Sequence, residues 1–160
     1  MSEPLAARCQ VKPLGEHDHA RWNEFVRAHA QGTFFHLCEW AGVLERAFRH
    51  RAHYLYAESD GQIRGVLPLA EVKSLLFGHA LISTPFCVYG GILASDAEAH
   101  RALERVACDL AGQLGVDYLE MRNRGPQHPG WPAKDLYVTF RRPIDSDAEK
   151  NMAAIPRKQR

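Results

Sequence analysis

The feature that most constrains the fold is a change of hydrophobic period near residue 50. Before it, apolar residues recur every three to four positions in two stretches, about 16–30 and 37–49, which predicts two amphipathic helices. After it, the stretches 53–58 and 63–72 flank Asp60-Gly61, a dipeptide typical of a tight hairpin turn. Two helices followed by a hairpin are expected to pack in layers on one sheet.

The middle of the chain continues this alternation. Residues 81–83 are expected to form a third strand, and Ser95-x-x-Glu98 is a capping box that predicts the start of a helix. Gly115 stands where a glycine commonly ends such a helix. The apolar stripe of this helix is expected to pack on a following strand, and the residues in that contact are Leu103, Val106, Leu110, Leu114, Leu119 and Met121.

Two further strands, 116–122 and 136–140, are predicted on either side of a Pro- and Gly-rich loop. A second capping box, Ser146-x-x-Glu149, then predicts a short helix. The order α-α-β-β-β-α-β-β-α indicates an α/β protein with a mixed, α+β-like sheet. We expect one domain over residues 1–142, with 143–160 forming a helix and a basic connector.

Pro68 falls inside the second hairpin strand, where it has no N–H to donate to a neighbouring strand. We therefore expect Pro68 at a sheet edge, at a bulge, or in the last third of the strand.

The charge balance and the cysteines exclude several classes of protein. Twenty Lys and Arg against nineteen Asp and Glu leave a net charge of +1, whereas dedicated nucleic-acid binders usually carry a clear basic excess. We therefore expect no direct nucleic-acid readout. The four cysteines are widely spaced and form no C-x-x-C pair, as in reduced, cytoplasmic proteins.

Residues 75–94 contain no Asp, Glu, Lys or Arg and are long enough to span a bilayer as a helix. They also hold one proline and three glycines, which a lone membrane span would not tolerate. We interpret this stretch as buried structure and expect no transmembrane segment.

No motif predicts a metal or a nucleotide cofactor. His17-x-His19 and His36-x-Cys38 lack the further ligands that a tetrahedral set needs, and Cys87 is better explained as a small apolar residue packing a loop. Neither dinucleotide-binding nor P-loop glycine patterns occur. There is also no glycine-rich turn before a helix that would cradle the pyrophosphate of coenzyme A.

The segment 83–91, Ser-Thr-Pro-Phe-Cys-Val-Tyr-Gly-Gly, is the most distinctive in the chain. Adjacent glycines permit a left-handed turn or a close approach of backbone to a ligand. A binding loop and a buried turn explain this composition about equally well. We predict a positive φ at Gly90 or Gly91.

Five ordered blocks of sequence together resemble the FemAB-like proteins, most closely the subgroup associated with exosortase-type exopolysaccharide loci. The resemblance spans nearly the whole chain, and the blocks are Phe35-His-x-x-Glu-Trp40, Gly65-Val-Leu-Pro-Leu69, Lys73-Ser-x-Leu-Phe-Gly78, Pro85-Phe-x-x-Tyr-Gly-Gly91 and Tyr118-Leu-Glu-Met-Arg122. It implies the first of two domains of the GNAT acyltransferase type. In this family such proteins transfer amino acids to the amine of a cell-wall precursor.

The resemblance implies an acyl- or aminoacyltransferase half-domain that holds an amine-bearing cell-envelope or polysaccharide precursor. It implies no cofactor in this half, a donor that is aminoacyl-tRNA or acyl-CoA, and a partner that is a second GNAT-like domain or a second copy. No general base can be assigned. The residues expected to bind the acceptor are Trp40, Phe86, Tyr89, Gly90, Gly91 and Arg122.

For two of these residues a purely structural role is an open alternative. Trp40 lies in a helical core stripe, and Arg122 is placed to act as a strand-end cation. Two other functions also remain open for the chain, a non-catalytic binding or assembly module and a self-contained CoA-dependent N-acetyltransferase.

Overall fold

The computed structural model describes residues 9–74, 78–125, 127–128, 130–134 and 138–156. The chain divides into two compact units, of which the first ends at Gln127 and the second begins at His128. The predicted boundary near residue 142 stays a prediction. The helices are α1 (His19–Ala28), α2 (Glu39–Phe48), α3 (Ala97–Leu114) and α4 (Ala148–Ala153), and the strands are β1 (Gln10–Pro13), β2 (Arg51–Ser59), β3 (Gln62–Ser74), β4 (Gly78–Ser83), β5 (Leu93–Ala94) and β6 (Tyr118–Glu120).

The first unit is built on one mixed sheet, which has six strands in the described residues. The strand order is β1-β2-β3-β4-β6, and the two-residue β5 pairs with β3 beside this path. Neighbouring strands are antiparallel except β4 and β6, which are parallel. The predicted mixed α/β architecture is therefore confirmed.

The Asp60-Gly61 hairpin is present as predicted, with Ser59 of β2 paired to Gln62 of β3. Asp60 has φ 51° and Gly61 has φ 72°. Two consecutive positive φ angles define the turn whose twist matches that of the flanking strands.

Pro68 lies at the middle of β3, away from a sheet edge, from the last third of the strand and from the register shift between Ala57 and Glu58, so that expectation is wrong. On one side Pro68 pairs with Tyr54. On its other side it falls between Val66, which pairs with β5, and Leu69, which pairs with β4. The proline occupies the point where β3 changes partner, because no ladder donor is required there.

Two hydrophobic layers cover the sheet. The face toward α1 and α2 buries a cluster that includes Trp22, Leu44, Tyr54, Tyr56 and Val66. The face toward α3 buries Leu55, Leu67, Leu69, Leu81 and Leu103.

The predicted contact between α3 and the following strand is confirmed. Leu103 is fully buried, and the other stripe residues are partly buried against the same cluster, together with Leu119 and Met121.

The N-cap residues of α3 and α4 are aspartates and not the predicted serines. Asp96 Oδ1 accepts from the backbone N–H of Ala99 at 2.9 Å, one residue beyond the predicted Ser95. Asp147 caps α4 in the same way, one residue beyond Ser146. Either side chain is a good N-cap, so composition alone could not choose between neighbours. The predicted end of α3 at Gly115 is confirmed, with φ 62°.

Other boundaries differ from the predictions. The strand predicted over 116–122 contains three paired residues, Tyr118–Glu120. β1 was not predicted, because its four residues show too short an alternation of apolar and polar side chains. Of the strand predicted over 136–140, residues 136–137 lie outside the described residues and 138–140 have no regular structure.

The second unit contains α4 and a stacked pair, His128 and Trp131, whose ring centroids lie 4.6 Å apart. Several of its apolar side chains are largely exposed, namely Val138, Phe140, Ile144 and Met152. Across the described part of the chain, every helix is too short or too polar to cross a membrane.

Candidate functional site

The parallel pair β4 and β6 defines the candidate site. In sheets covered by helices, ligands bind outside the carboxyl ends of parallel strands. Here the paired register ends at Ile82 opposite Glu120. Ser83 directly follows Ile82, and Arg122 lies two residues after Glu120. The distinctive segment 83–91 therefore leads directly away from the carboxyl end of β4.

The chain itself fills the space between the two strand ends. The backbone N–H of Arg122 donates to Ser83 Oγ at 2.7 Å, so a side chain replaces the next ladder bond. The carbonyl oxygen of Arg122 accepts from the N–H groups of Gly90 and Gly91, at 3.0 and 3.2 Å. The glycine pair thus continues the sheet where direct strand pairing stops.

The prediction of a positive φ at Gly90 or Gly91 is wrong. Positive φ angles in this loop belong to Thr84 (45°) and Phe86 (67°). The glycines are required by close approach: a Cβ on Gly90 would overlap the Thr84 side chain, and one on Gly91 would overlap Asn123. The close approach is to protein groups, which counts against the interpretation of the pair as a ligand-binding turn.

Phe86 projects from this strained loop onto the surface. Buried Thr84 anchors the loop, because its backbone N–H donates to the carbonyl of Pro68 at 2.9 Å. Phe86 is 58% exposed and stacks on Phe48 and His50, with centroid separations of 4.5 and 5.6 Å. A positive φ at a residue other than glycine destabilises the backbone by on the order of 1 kcal/mol, and the contacts of the anchored loop offset this strain.

Arg122 holds the loop with its side chain as well. Its Nη1 donates to the carbonyl of Cys87 at 2.7 Å, and its Nε donates to Glu120 Oε1 at 2.7 Å. Both interactions are within the protein, and 28% of the side chain is exposed. The next arginine, Arg124, lies over the ring of Tyr89 at 5.4 Å and brings a second positive charge to this end of the sheet.

Trp40 packs on the other side of the loop. Its ring meets Phe34 and Phe35 edge-on at 5.5 and 5.9 Å, and it contacts the core under α1 and α2.

Burial raises the pKa of the Cys87 thiol, against opposing effects of the Trp40 indole N–H and the Arg122 guanidinium. Cys87 is therefore a buried, protonated thiol at neutral pH.

His36 lies beneath the loop and is a neutral structural residue. Its Nε2–H donates to the carbonyl of Gly91 at 3.1 Å, which leaves Nδ1 to accept from the Thr33 hydroxyl at 2.7 Å. Burial lowers the pKa of His36 to about 4. Because both ring nitrogens are engaged, His36 is available neither as a metal ligand nor as a general base.

A small cleft opens next to the Arg122–Gly91 junction. Its volume of about 10 Å³ suits one water molecule. Two amide oxygens, Asn123 Oδ1 and Gln127 Oε1, are buried at this cleft and have no hydrogen-bond partner among the residues that the structure describes. The other residues that line it include His36, Tyr89, Gly91, Arg122 and Arg124.

A wider groove of about 250 Å³ adjoins this cleft and runs over the start of α3. The two share Gln31, Ile92 and Gln127, and the groove adds Ala94, Asp96, Ala97 and His100. Its size approaches the ~300 Å³ at which small-molecule sites begin.

Three of the predicted binding residues, Tyr89, Gly91 and Arg122, meet at the cleft, and Gly90 shares the backbone junction behind it. Trp40, which lies in α2, and Phe86, which is on the loop, do not line the cleft. Sequence reasoning missed Arg124, Asn123 and Gln127, because they lie in an irregular segment where no periodicity assigns a face.

Side chains of the protein occupy the amino end of α3, and one of them, Arg64, comes from β3. Besides capping Ala99, Asp96 receives hydrogen bonds from Arg64 Nε and Nη2 at 3.2 and 2.9 Å. The Ala99 N–H and the Arg64 guanidinium hold the pKa of Asp96 below its usual range. Glu98 adds a second carboxylate in the first turn.

Solved structures of other proteins share this arrangement of sheet and helices. Ribosomal-protein-alanine N-acetyltransferase from Brucella melitensis biovar Abortus 2308 is 18% identical and superposes with a TM-score of 0.57, over 84% of this chain and 98% of that one. A GNAT family acetyltransferase from Staphylococcus aureus gives a TM-score of 0.52 at 10% identity, over 86% and 99%. The fold is the GNAT fold.

The GNAT fold confirms the coarser part of the resemblance. FemX superposes with a TM-score of 0.49 at 21% identity, over 65% of this chain and 24% of that one, a likeness too distant to bear on the FemAB subgroup. No protein-family model and no curated protein sequence matches the chain.

Proposed function

We propose that this chain is the acceptor-holding half of a FemAB-type acyl- or aminoacyltransferase. The observation that carries the proposal is the cleft at the carboxyl ends of β4 and β6, which opens into the wider groove of about 250 Å³ where the body of an acceptor would lie. The cleft combines the cations of Arg122 and Arg124 with the buried amide oxygens of Asn123 and Gln127, which are unpaired within the described part of the chain. The cations suit an anionic group and the amide oxygens suit N–H donors, as an amine-bearing, anionic precursor would supply.

The reaction itself needs a second partner. Amine acylation requires a group that takes up a proton and donors that stabilise the developing oxyanion. Of the described residues at the site, His36 is neutral with both nitrogens engaged, and Cys87 is a buried thiol. A further GNAT-like domain or a second copy would supply these groups and the donor, whether aminoacyl-tRNA or acyl-CoA.

Exposed apolar side chains in the second unit support the need for a partner. The exposed fraction is 77% for Val138, 92% for Phe140 and 86% for Ile144. Exposed apolar side chains that are grouped together mark surfaces for association, and these three fall within a segment of seven residues. We propose that the complete enzyme acts in the cytoplasm, because the four cysteines are free, as in proteins of a reducing compartment. Its acceptor would be a cell-envelope or exopolysaccharide precursor. The free cysteines are Cys9, Cys38, Cys87 and Cys108.

Acceptor binding can be tested with D-glucosamine 1-phosphate, which carries both an amine and an anion. We expect chemical-shift changes in ¹H–¹⁵N spectra at Tyr89, Asn123 and Gln127, and much weaker changes with N-acetylglucosamine 1-phosphate. Arg124→Gln should weaken binding, whereas Arg101→Gln on the exposed side of α3 should not. Equal binding of both sugars, or no change at the cleft, would contradict the proposal.

Catalysis is tested separately by assaying the chain with aminoacyl-tRNA or acetyl-CoA and amine acceptors. We expect no turnover without a partner. Turnover of ~1 s⁻¹ or faster would show that one half suffices.

A second candidate function is a non-catalytic binding or assembly module. The stacked, exposed pair Phe48 and Phe86 favours it, because a strained loop presents an aromatic ring to solvent. Retained binding of a partner by the chain, with no transfer activity in the reconstituted complex, would favour this candidate over the transferase.

A further inference from the structure

The GNAT fold implies acyl-CoA as a donor, and the residues of this chain would have to fit that cofactor. Coenzyme A carries a pyrophosphate, and helix amino ends bind such anions through free backbone N–H groups and the positive end of the helix dipole. The corresponding position in this chain is the start of α3, beside the groove over Asp96 and Ala97.

The start of α3 does not fit a pyrophosphate. The N–H of Ala99 is already bonded to Asp96 Oδ1, and the guanidinium of Arg64 is bonded to the other carboxylate oxygen. Asp96 at the N-cap and Glu98 in the first turn place two carboxylates at this helix end, where an anion would lie. The site repels the group that it would have to bind.

The backbone donors at the carboxyl ends of β4 and β6 are also occupied. Gly90 and Gly91 both donate to the carbonyl of Arg122, and the N–H of Arg122 donates to Ser83 Oγ. A ligand with an extended amide arm would have to displace this junction in order to pair with the strand ends. The start of α3 and the ends of the two strands therefore both have donors that are bonded to groups of the protein itself.

We infer that this chain does not bind acyl-CoA, although it has the GNAT fold. Asp96 is the residue that excludes the pyrophosphate, and the Gly90–Gly91 junction closes the strand ends. The acyl donor is consequently held outside this unit. This inference rests on the fold and on α3, and it stands independently of the acceptor proposed for the cleft.

Calorimetric titration of the full chain with acetyl-CoA tests the inference directly. We expect no saturable heat, which corresponds to a Kd weaker than ~1 mM. Saturable binding with a Kd of ~10 μM would overturn it. Because the measurement is of binding, it is independent of whether the chain turns over any acceptor.

The role of Asp96 is tested with inorganic pyrophosphate at low ionic strength. Asp96→Asn keeps a good capping side chain but removes the charge and releases Arg64, so pyrophosphate affinity should rise roughly two- to fivefold. Asp109→Asn removes an equal charge from the exposed middle of the same helix and should change affinity much less. An equal response of both variants, or none at Asp96→Asn, would overturn the assignment to Asp96.

Discussion

The guanidinium of Arg122 donates to the backbone carbonyl of Cys87 across 2.7 Å, which ties the end of β6 to the loop that follows β4. Its second bond is to Glu120, two residues away. The side chain expected to attract an anionic acceptor therefore also holds the walls of the cleft in place.

Arg122→Ala should destabilise the chain by roughly 1.5–3 kcal/mol, because a charged donor is lost and the carbonyl of Cys87 loses its side-chain partner. Glu120→Gln is the matched control. It keeps the bond to Cys87 and weakens only a partly exposed ion pair, so it should cost less than about 1 kcal/mol. Urea unfolding gives both values, and equal losses would show that the ion pair, not the bond to Cys87, is the important contact.

Gly91→Ala should destabilise the chain by ~1–3 kcal/mol, because the added Cβ overlaps the Asn123 side chain. A double variant that also carries Asn123→Gly should recover part of this loss, since the overlapping atoms are removed. Gly112→Ala is the control: its Cβ would meet nothing within 4 Å in the last turn of α3, so stability should not fall and should rise by up to roughly 0.5–1 kcal/mol. Thermal unfolding of the four proteins measures these effects.

His36 should make stability fall on acidification. Its pKa is about 4 in the folded chain, against 6.5 as its ordinary value, so between these pH values the unfolded chain binds a proton that the folded chain does not. Stability should be fully present above pH 6.5 and decline by about 3 kcal/mol as the pH falls to 4. Denaturant titrations at several pH values measure the slope.

His36→Gln provides the comparison, because glutamine keeps a hydrogen-bonding side chain without titrating. The variant should show a shallower pH dependence between pH 6.5 and 4, even if its stability at pH 7 is lower. An unchanged slope would assign the acid sensitivity to other groups.

Leu103→Ala should cost ~2–5 kcal/mol, because the side chain is fully buried between α3 and the sheet. Leu110 lies two turns further along the same helix and is only partly buried, so Leu110→Ala should cost less. Unfolding free energies from urea titrations test the order. The reverse order would contradict the packing of α3 described here.

Local patterns in the sequence determined much of the architecture. The 3.6-residue period of α1 and α2, the Asp60-Gly61 turn and the Gly115 stop depend on nearby residues only, and all three are present. The helix starts at Asp96 and Asp147 were each displaced by one residue, because serine and aspartate cap equally well and the choice depends on the surrounding chain.

The tertiary structure alone decided the site. Pro68 is tolerated at the centre of β3 because its strand changes partner there, from β5 to β4. Gly90 and Gly91 are needed because Thr84 and Asn123 approach them, and not because of their own φ angles. The cleft joins Gln31 to residues about sixty and ninety-six positions later in the chain, Gly91 and Gln127. Contacts between residues so distant leave no local periodicity, so composition and spacing could predict the elements but not the surfaces that they bring together.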